Sequence, residues 1–197
     1  MKIKKILNVI VGSIIMSIGI KFTILLNLGS DPMTMLWIGI SNLLSITVGQ
    51  ANILVSFIFL VIVLVLDKKQ LNIGSLLNPI VITMTLDMLQ KVSIPAFNIW
   101  FRMILVIIGF LVLSFGIAMY AAADFGKGAY EALVFALSNK VNFKVGTIRT
   151  VFDILFAFIG VMLGAKFNIG TIIAIIFIGS GIQFFLNIIN KLESEKK

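Results

Sequence analysis

The chain has 197 residues, of which 60% are hydrophobic, and carries a formal charge of +8. A soluble domain is about 45–50% apolar, and the excess here falls in several long apolar runs separated by short polar stretches. That is the pattern of a polytopic membrane protein, not of a globule with one core. Cysteine and histidine are absent, which excludes disulfides and thiol nucleophiles and removes the commonest general base and metal ligand.

The Lys and Arg residues lie mainly in loops and tails, where they serve topology and anionic lipid. No basic patch with interleaved aromatics occurs, so the expected partners are the lipid bilayer and a small molecule, not nucleic acid. No P-loop, HExxH, GxSxG or DxDxDG signal occurs either. The apolar interior supplies few acids and bases, so neither an enzyme nor a cofactor or metal site is expected.

In chain order, MKIKKILNVIVGSIIMSIGI has a basic start and an apolar run longer than a signal-peptide core, without an A-x-A site. It reads as a retained first span, residues 6–26, with Lys21 near its far end, where a long stem reaches the interface. Gly12 and Gly19 share one face of it and allow close backbone approach. Ser30 or Asp31 caps a short helix over 32–44, with Pro32 at its first position. At about 1.5 Å per residue it covers roughly 20 Å, short of the roughly 30 Å hydrocarbon core. Spans follow at 49–66 and 73–89, the latter with Pro79 inside it, where a kink near Ser75 is expected. Residues 91–98 form a linker.

The order then repeats: a span over 101–122, a short helix over 129–141, and spans over 146–163 and 170–189, before a charged tail at 191–197. Gly29 recurs as Gly126, Ser41-Asn42 as Ser138-Asn139, and Val48-Gly49 as Val145-Gly146, each 97 positions on. Gly12 and Gly19 recur as Gly109 and Gly116. Asn72-Ile73-Gly74 recurs as Asn168-Ile169-Gly170 at an offset of 96. The expected fold is therefore all-helical: two homologous repeats, 1–90 and 99–190, each with three long transmembrane helices and one short re-entrant or half-spanning helix.

The region 27–50 holds no Lys or Arg, whereas 124–149 holds Lys127, Lys140, Lys144 and Arg149. If the short helices do not cross the membrane the repeats are inverted, these regions lie on opposite faces, and the positive-inside rule expects the contrast; if they cross, the repeats are parallel, a reading that tolerates the contrast without explaining it. Both termini are expected on the cytoplasmic side.

Ionisable and polar groups within apolar spans are candidates for function. Arg149 and Asp153 stand at i,i+4, as a neutralising interfacial pair or as a gate or ligand contact. Asp87 sits near a helix exit with Lys91 at the same spacing. Asp31 and Glu131 complement the dipoles at the starts of the two short helices. Ser41, Asn42, Ser138 and Asn139 either cap the ends of those helices or line a central polar site. Gln50, Asn52, Asn78 and Gln183 add hydrogen-bonding groups, to that site or between helices.

The stretches LGSDPMTMLWIGIS…VG, FGKGAYEALVFALS…VGTIR and NIGT…IG…Q resemble the YczE/YitT group of bacterial integral membrane proteins, on the YczE side that lacks a C-terminal soluble domain. The resemblance implies a bacterial cytoplasmic-membrane location and assigns no biochemical activity. The architecture itself suggests a small-molecule transporter or exporter with a midplane site between the repeats. The alternative is a non-transporting accessory subunit of another complex. A polar cavity lined by both short helices would favour transport, and a dry core would favour the accessory role.

Overall fold

The computed structural model describes residues 2–194. It contains eight α-helices: α1 (Lys2–Leu26), α2 (Pro32–Leu44), α3 (Val48–Asp67), α4 (Ile73–Met88), α5 (Ile99–Ala122), α6 (Ala129–Val141), α7 (Val145–Met162) and α8 (Ile169–Ser194). A 3-10 turn, Lys68–Gln70, separates α3 from α4. Among the described residues there is no strand.

Local chemistry sets the boundaries. Asp31 caps α2 by accepting from the Thr34 amide at 3.1 Å, and Pro32 occupies the first turn. Thr47 and Gln50 form a reciprocal capping box that opens α3. Asn72 and Ser75 do the same for α4. The short helices α2 and α6 both end in a left-handed residue, Ser45 and Asn142. Just before each, a serine hydroxyl reaches across the turn: Ser41 donates to the Ile46 carbonyl and Ser138 to that of Phe143, both at 2.6 Å. These bonds stop the helices at 13 residues each.

Among the described residues, five helices are long and apolar enough to cross a bilayer: α1, α3 with its following turn, α5, α7 and α8. Helix α4 ends within one residue of the expected 73–89 and, at 16 residues or about 24 Å, is one of the shorter apolar helices. It ends in a tighter turn, where the Gln90 amide donates to the Asp87 carbonyl at 3.1 Å, and the chain leaves toward α5. Pro79 does not interrupt it, since α4 runs continuously from Ile73 to Met88. Helix α8 extends beyond its expected end at residue 189 into the charged tail. Residues 195–197 of that tail lie outside the described residues. Outward-facing residues such as Phe57, Leu64, Phe158 and Phe177 are apolar and exposed, as a lipid-facing surface requires.

The central seam joins α1 to α5. A Cβ built on Gly12 would lie 2.9 Å from the Gly116 carbonyl oxygen, and one on Gly19 would lie 2.8 Å from that of Gly109. Residues early in α1 thus meet residues late in α5, so the two helices are antiparallel with their backbones in contact. Lys5 at one end of the seam donates to the Asp124 carbonyl at 3.1 Å. At the other end Arg102 donates to the Leu26 carbonyl, and Lys21 reaches the Gln90 carbonyl at 3.3 Å.

Two further helices dock through the turns that precede the short helices. The Gly74 amide at the start of α4 donates to the Phe125 carbonyl at 2.9 Å, and the Gly170 amide at the start of α8 donates to the Leu28 carbonyl at 2.8 Å. Each turn needs a glycine with positive φ, Gly29 at 95° and Gly126 at 113°. There the backbone passes too close to Thr171 and to Ser75 for any side chain. The beginning of α4 therefore lies at the Lys5–Asp124 end of the bundle, and the beginning of α8 at the Leu26–Arg102 end. Helix α2 packs on α7, with Met35 against Gly160 and Gly39 against Leu163. Helix α6 packs on α3.

Candidate functional site

The N-terminal turns of α2 and α6 converge on a cavity of about 260 Å³ in the middle of the bundle. Its walls come from α1 (Met16, Ile20), α3 (Asn52, Ser56), α4 (Asn78, Ile82), α5 (Leu113, Ile117), α7 (Arg149, Asp153) and α8 (Ala174, Ile178). Asp31 at the N-cap of α2, Trp37 from α2, and Tyr130 and Glu131 from α6 add polar groups to the lining.

Of the sequence-derived candidates, six meet here: Asp31, Asn52, Asn78, Glu131, Arg149 and Asp153. Arg149 Nε lies 3.8 Å from Asp153 Oδ2. The Tyr130 hydroxyl donates to Asp153 Oδ1 at 2.6 Å, and the Arg149 guanidinium stands over the Tyr130 ring, 5.4 Å from its centroid. Glu131 accepts from the Tyr120 hydroxyl at 2.9 Å, and that hydroxyl accepts from the Gly128 amide at 3.0 Å. Asn78 donates to the Ser13 hydroxyl at 2.9 Å. Asn52 donates to the Pro79 carbonyl and to Thr83 Oγ1, each at 3.0 Å. Its amide oxygen accepts from Ser56.

The remaining candidates lie away from the cavity. Ser41 and Ser138 staple the ends of the short helices. Asn42 donates to the Leu163 carbonyl at 3.5 Å, and Asn139 donates to Asp67 at 3.3 Å. The Gln50 side chain is taken up by the α3 capping box. Asp87 stands against Gly49 between α3 and α4. Gln183 is exposed and donates to Asn187 along α8 at 2.9 Å.

Sequence reasoning missed Trp37, Tyr120 and Tyr130. A signal existed for the last two. In a chain with 17 Phe there are 2 Tyr, and each donates its hydroxyl to a carboxylate at this site. A phenol in an apolar helix needs such an acceptor.

Among the described residues, three buried polar atoms make no hydrogen bond of good geometry, Asp31 Oδ2, Thr34 Oγ1 and Trp37 Nε1, although the Thr34 hydroxyl lies beside the Asp31 carboxylate and interacts with it. Two of them, on Asp31 and Trp37, belong to cavity residues. Buried polar groups are otherwise almost always paired.

The two seams beside the cavity differ. Between α3 and α4, Gly49 is buried, and a Cβ there would lie 2.8 Å from the Thr83 carbonyl oxygen and 2.5 Å from Asp87 Oδ1. Thr83 Oγ1 donates to the Gly49 carbonyl at 2.9 Å and closes the seam. Between α7 and α8, Gly146 and Gly179 both line the cavity and both are exposed. A Cβ on either would meet nothing within 4 Å. The cavity is thus sealed along α3–α4 and open along α7–α8.

A family model described as a family of unknown function (DUF6198) matches residues 3–187. An uncharacterized protein of Haemophilus influenzae is 33% identical over 178 residues, covering 90% of this chain and 81% of that protein. The uncharacterized membrane protein YczE of Bacillus subtilis is 25% identical over 177 residues, covering 89% of this chain and 82% of YczE. The uncharacterized protein YyaS of the same organism is 24% identical over 184 residues, covering 92% of each. No solved structure matches. With eight helices among its described residues, five of them long and apolar enough to span, and a family match over nearly its whole length, this membrane protein belongs to the DUF6198 family of unknown function, with YczE among its relatives.

Proposed function

We propose that the protein is a small-molecule transporter built from two inverted repeats, and that its substrate binds in the cavity between α2 and α6. The observation that carries this reading is the inequality of two matched seams around one charged cavity. Gly49, Thr83 and Asp87 correspond by repeat offset to Gly146, Gly179 and Gln183. The first set is closed and the second is open. Exchanging the two conformations between the halves would seal α7–α8 and open α3–α4, which is the alternating access that inverted repeats permit.

The antiparallel packing of α1 on α5 supports inversion. Gly12 pairs with Gly116 and Gly19 with Gly109, as a two-fold axis across the seam requires. Parallel repeats would have set these two helices side by side in the same direction. The swapped bonds from Gly74 to Phe125 and from Gly170 to Leu28 support the same axis, since each half holds the other's turn. Asn52 and Ser56 stand at the positions matched to Arg149 and Asp153, so the cavity straddles the axis with different chemistry on its two sides.

The bundle end bearing Lys5 also bears Lys68, Lys69, Lys127, Lys140 and Lys144, and the opposite end bears Lys21, Lys91, Arg102 and Lys166. The positive-inside rule makes the former end cytoplasmic in a bacterial inner membrane, with both termini on that side. Gly146 lies near the start of α7 at that same end, so this conformation is open to the cytoplasmic half. The accessory-subunit alternative called for a dry core, and the charged lining weighs against it.

The test is a cysteine pair in this cysteine-free chain. Gly146→Cys with Gly179→Cys should support solute flux in proteoliposomes when reduced and lose it when cross-linked across the closed seam. Unchanged flux after complete cross-linking overturns the mechanism.

A further inference from the structure

The way into the cavity is on the flank of the bundle. Among the residues that line it, the exposed ones are Gly146, Thr150 and Ile154 of α7 and Ile175 and Gly179 of α8. Four-residue spacing puts each set on one helix face, so the two faces are the walls of a slot. Helix α7 packs chiefly on α2, and α8 chiefly on α5, which leaves the slot between them unfilled. Ile154 lies nine residues beyond the start of α7, and Gly179 lies ten beyond the start of α8. Each is therefore about 14–15 Å along its span. The slot reaches about the middle of a hydrocarbon core of roughly 30 Å.

The surroundings of the slot are apolar at depth and basic at one end. Leu155 and Phe158 of α7 and Ile172 and Ile176 of α8 stand beside it, all exposed, as lipid-facing residues are. At the end that bears Gly146, Lys144 is the N-cap of α7 and Lys140 sits in the last turn of α6. Both are exposed, and among the described residues neither makes an ion pair. Arg149 and Asp153 are engaged with each other, and Asp153 with Tyr130. A gap at that depth does not stay empty. Its walls lack dispersion partners, and the bilayer core supplies acyl chains, not water.

We infer that the slot is a lipid site: an acyl chain of an anionic phospholipid from the adjoining leaflet lies between α7 and α8, with its phosphate at Lys140 and Lys144. Basic side chains at the membrane surface attract such headgroups. The cavity behind the slot, at about 260 Å³, is at the small end even for drug-sized ligands, so the headgroup and the second chain stay in the bilayer. A chain in the slot stands where the Gly146 and Gly179 faces have to meet. It therefore holds this conformation and must leave before the seam closes, which makes anionic lipid a regulator of the exchange between the two seams. That regulation rests on the transport reading, whereas occupancy of the slot does not.

The probe is phosphatidylglycerol with a photoactivatable diazirine midway along one chain, mixed into phosphatidylcholine vesicles that hold the full-length protein. Cross-links located by mass spectrometry should concentrate on the slot faces of α7 and α8 over the lipid-facing side of α3. A Cβ on Gly179 meets nothing within 4 Å, so Gly179→Phe should keep its Tm and, by filling the slot, cut that labelling several-fold. Lys140→Gln with Lys144→Gln should lower labelling by the phosphatidylglycerol probe about fivefold or more and spare labelling by a phosphatidylcholine probe with the same chain. Labelling spread evenly over the lipid-facing helices means annular lipid only and overturns the inference. So does undiminished labelling of folded Gly179→Phe, or rapid reaction of Gly179→Cys with a water-soluble, membrane-impermeant thiol reagent, which means a slot filled with water. Cross-linking of Gly146→Cys to Gly179→Cys should expel the chain and abolish the labelling. Failure of that pair to cross-link in any lipid, with the slot still labelled, sinks the transport reading and leaves the lipid site standing. An unlabelled slot with a pair that cross-links readily does the reverse.

Discussion

Gly19 and Gly109 meet across the α1–α5 seam, with the Gly109 carbonyl oxygen 2.8 Å from where a Gly19 Cβ would stand. The contact is backbone on backbone, so no rotamer change can relieve a side chain placed there. In a bilayer helices gain little from hydrophobic burial against one another, and close packing through small residues holds them. The seam that carries the whole bundle thus depends on residues with no side chain.

The consequence for mutagenesis is a graded series. Gly19→Ala and Gly116→Ala push a Cβ against main-chain atoms, at 2.5 Å from the Leu113 amide and 2.3 Å from the Met16 amide respectively. Each should lower stability by about 1–3 kcal/mol, read as Tm in detergent. Gly109→Ala meets first the Thr23 methyl at 3.2 Å and should cost less. Ile14 and Leu111 face outward at 37% and 49% exposure, and Phe at either should be tolerated. Equal stability of Gly116→Ala and Ile14→Phe would show that the seam is not as close as described.

Arg149 and Asp153 pair at 3.8 Å with a third and a fifth of their side chains exposed. This intermediate setting predicts a coupling of about 1–2 kcal/mol in a double-mutant cycle, between the exposed and fully buried limits. Tyr130→Phe removes a 2.6 Å bond to the same carboxylate and should cost a further 1–3 kcal/mol or about that. A cycle giving no coupling would mean that the two charges are solvated independently.

Leu44 and Val141 are matched residues near the ends of the two short helices, both exposed, at 50% and 43%. If the repeats are inverted, Leu44→Cys should react with a membrane-impermeant thiol reagent in intact cells, and Val141→Cys only after permeabilisation. Matching behaviour of the two would exclude inversion.

Gly49 fills the sealed α3–α4 seam, where a Cβ would stand 2.8 Å from the Thr83 carbonyl oxygen. Gly49→Val should wedge that seam open and raise the reactivity of a cysteine placed at Thr83. Gly146→Val projects into open space and should leave stability unchanged within about 0.5 kcal/mol, while hindering closure of α7–α8 and hence flux. Loss of stability equal to that of Gly49→Val would mean that the second seam is closed as well.

The sequence by itself determined the class, the number of helices and most of their ends. Hydropathy marks an apolar run because the bilayer forces every spanning segment to be apolar and helical. Caps such as Asp31-Pro32 and Thr47-x-x-Gln50 are short-range chemistry, so α2 and α3 begin where the residues say. The recurrence of Gly12 and Gly19 as Gly109 and Gly116 marked the close-packed faces, because a glycine is retained in a span where a Cβ cannot fit. What only the tertiary structure decided is which polar residues share a cavity. Ser41 and Asp31 look alike in sequence, as polar groups at the two ends of one short helix. Their fates differ because the N-terminus of α2 points inward while its C-terminus is tied off by its own turn. Trp37, Tyr120 and Tyr130 gave weak signals because an aromatic residue suits lipid, core and site equally, and only its neighbours distinguish them. The difference between the Gly49 and Gly146 seams was illegible for a deeper reason. Gly49 and Gly146 sit in matched stretches of sequence, and which of them meets a neighbouring helix is decided by the packing of the whole bundle.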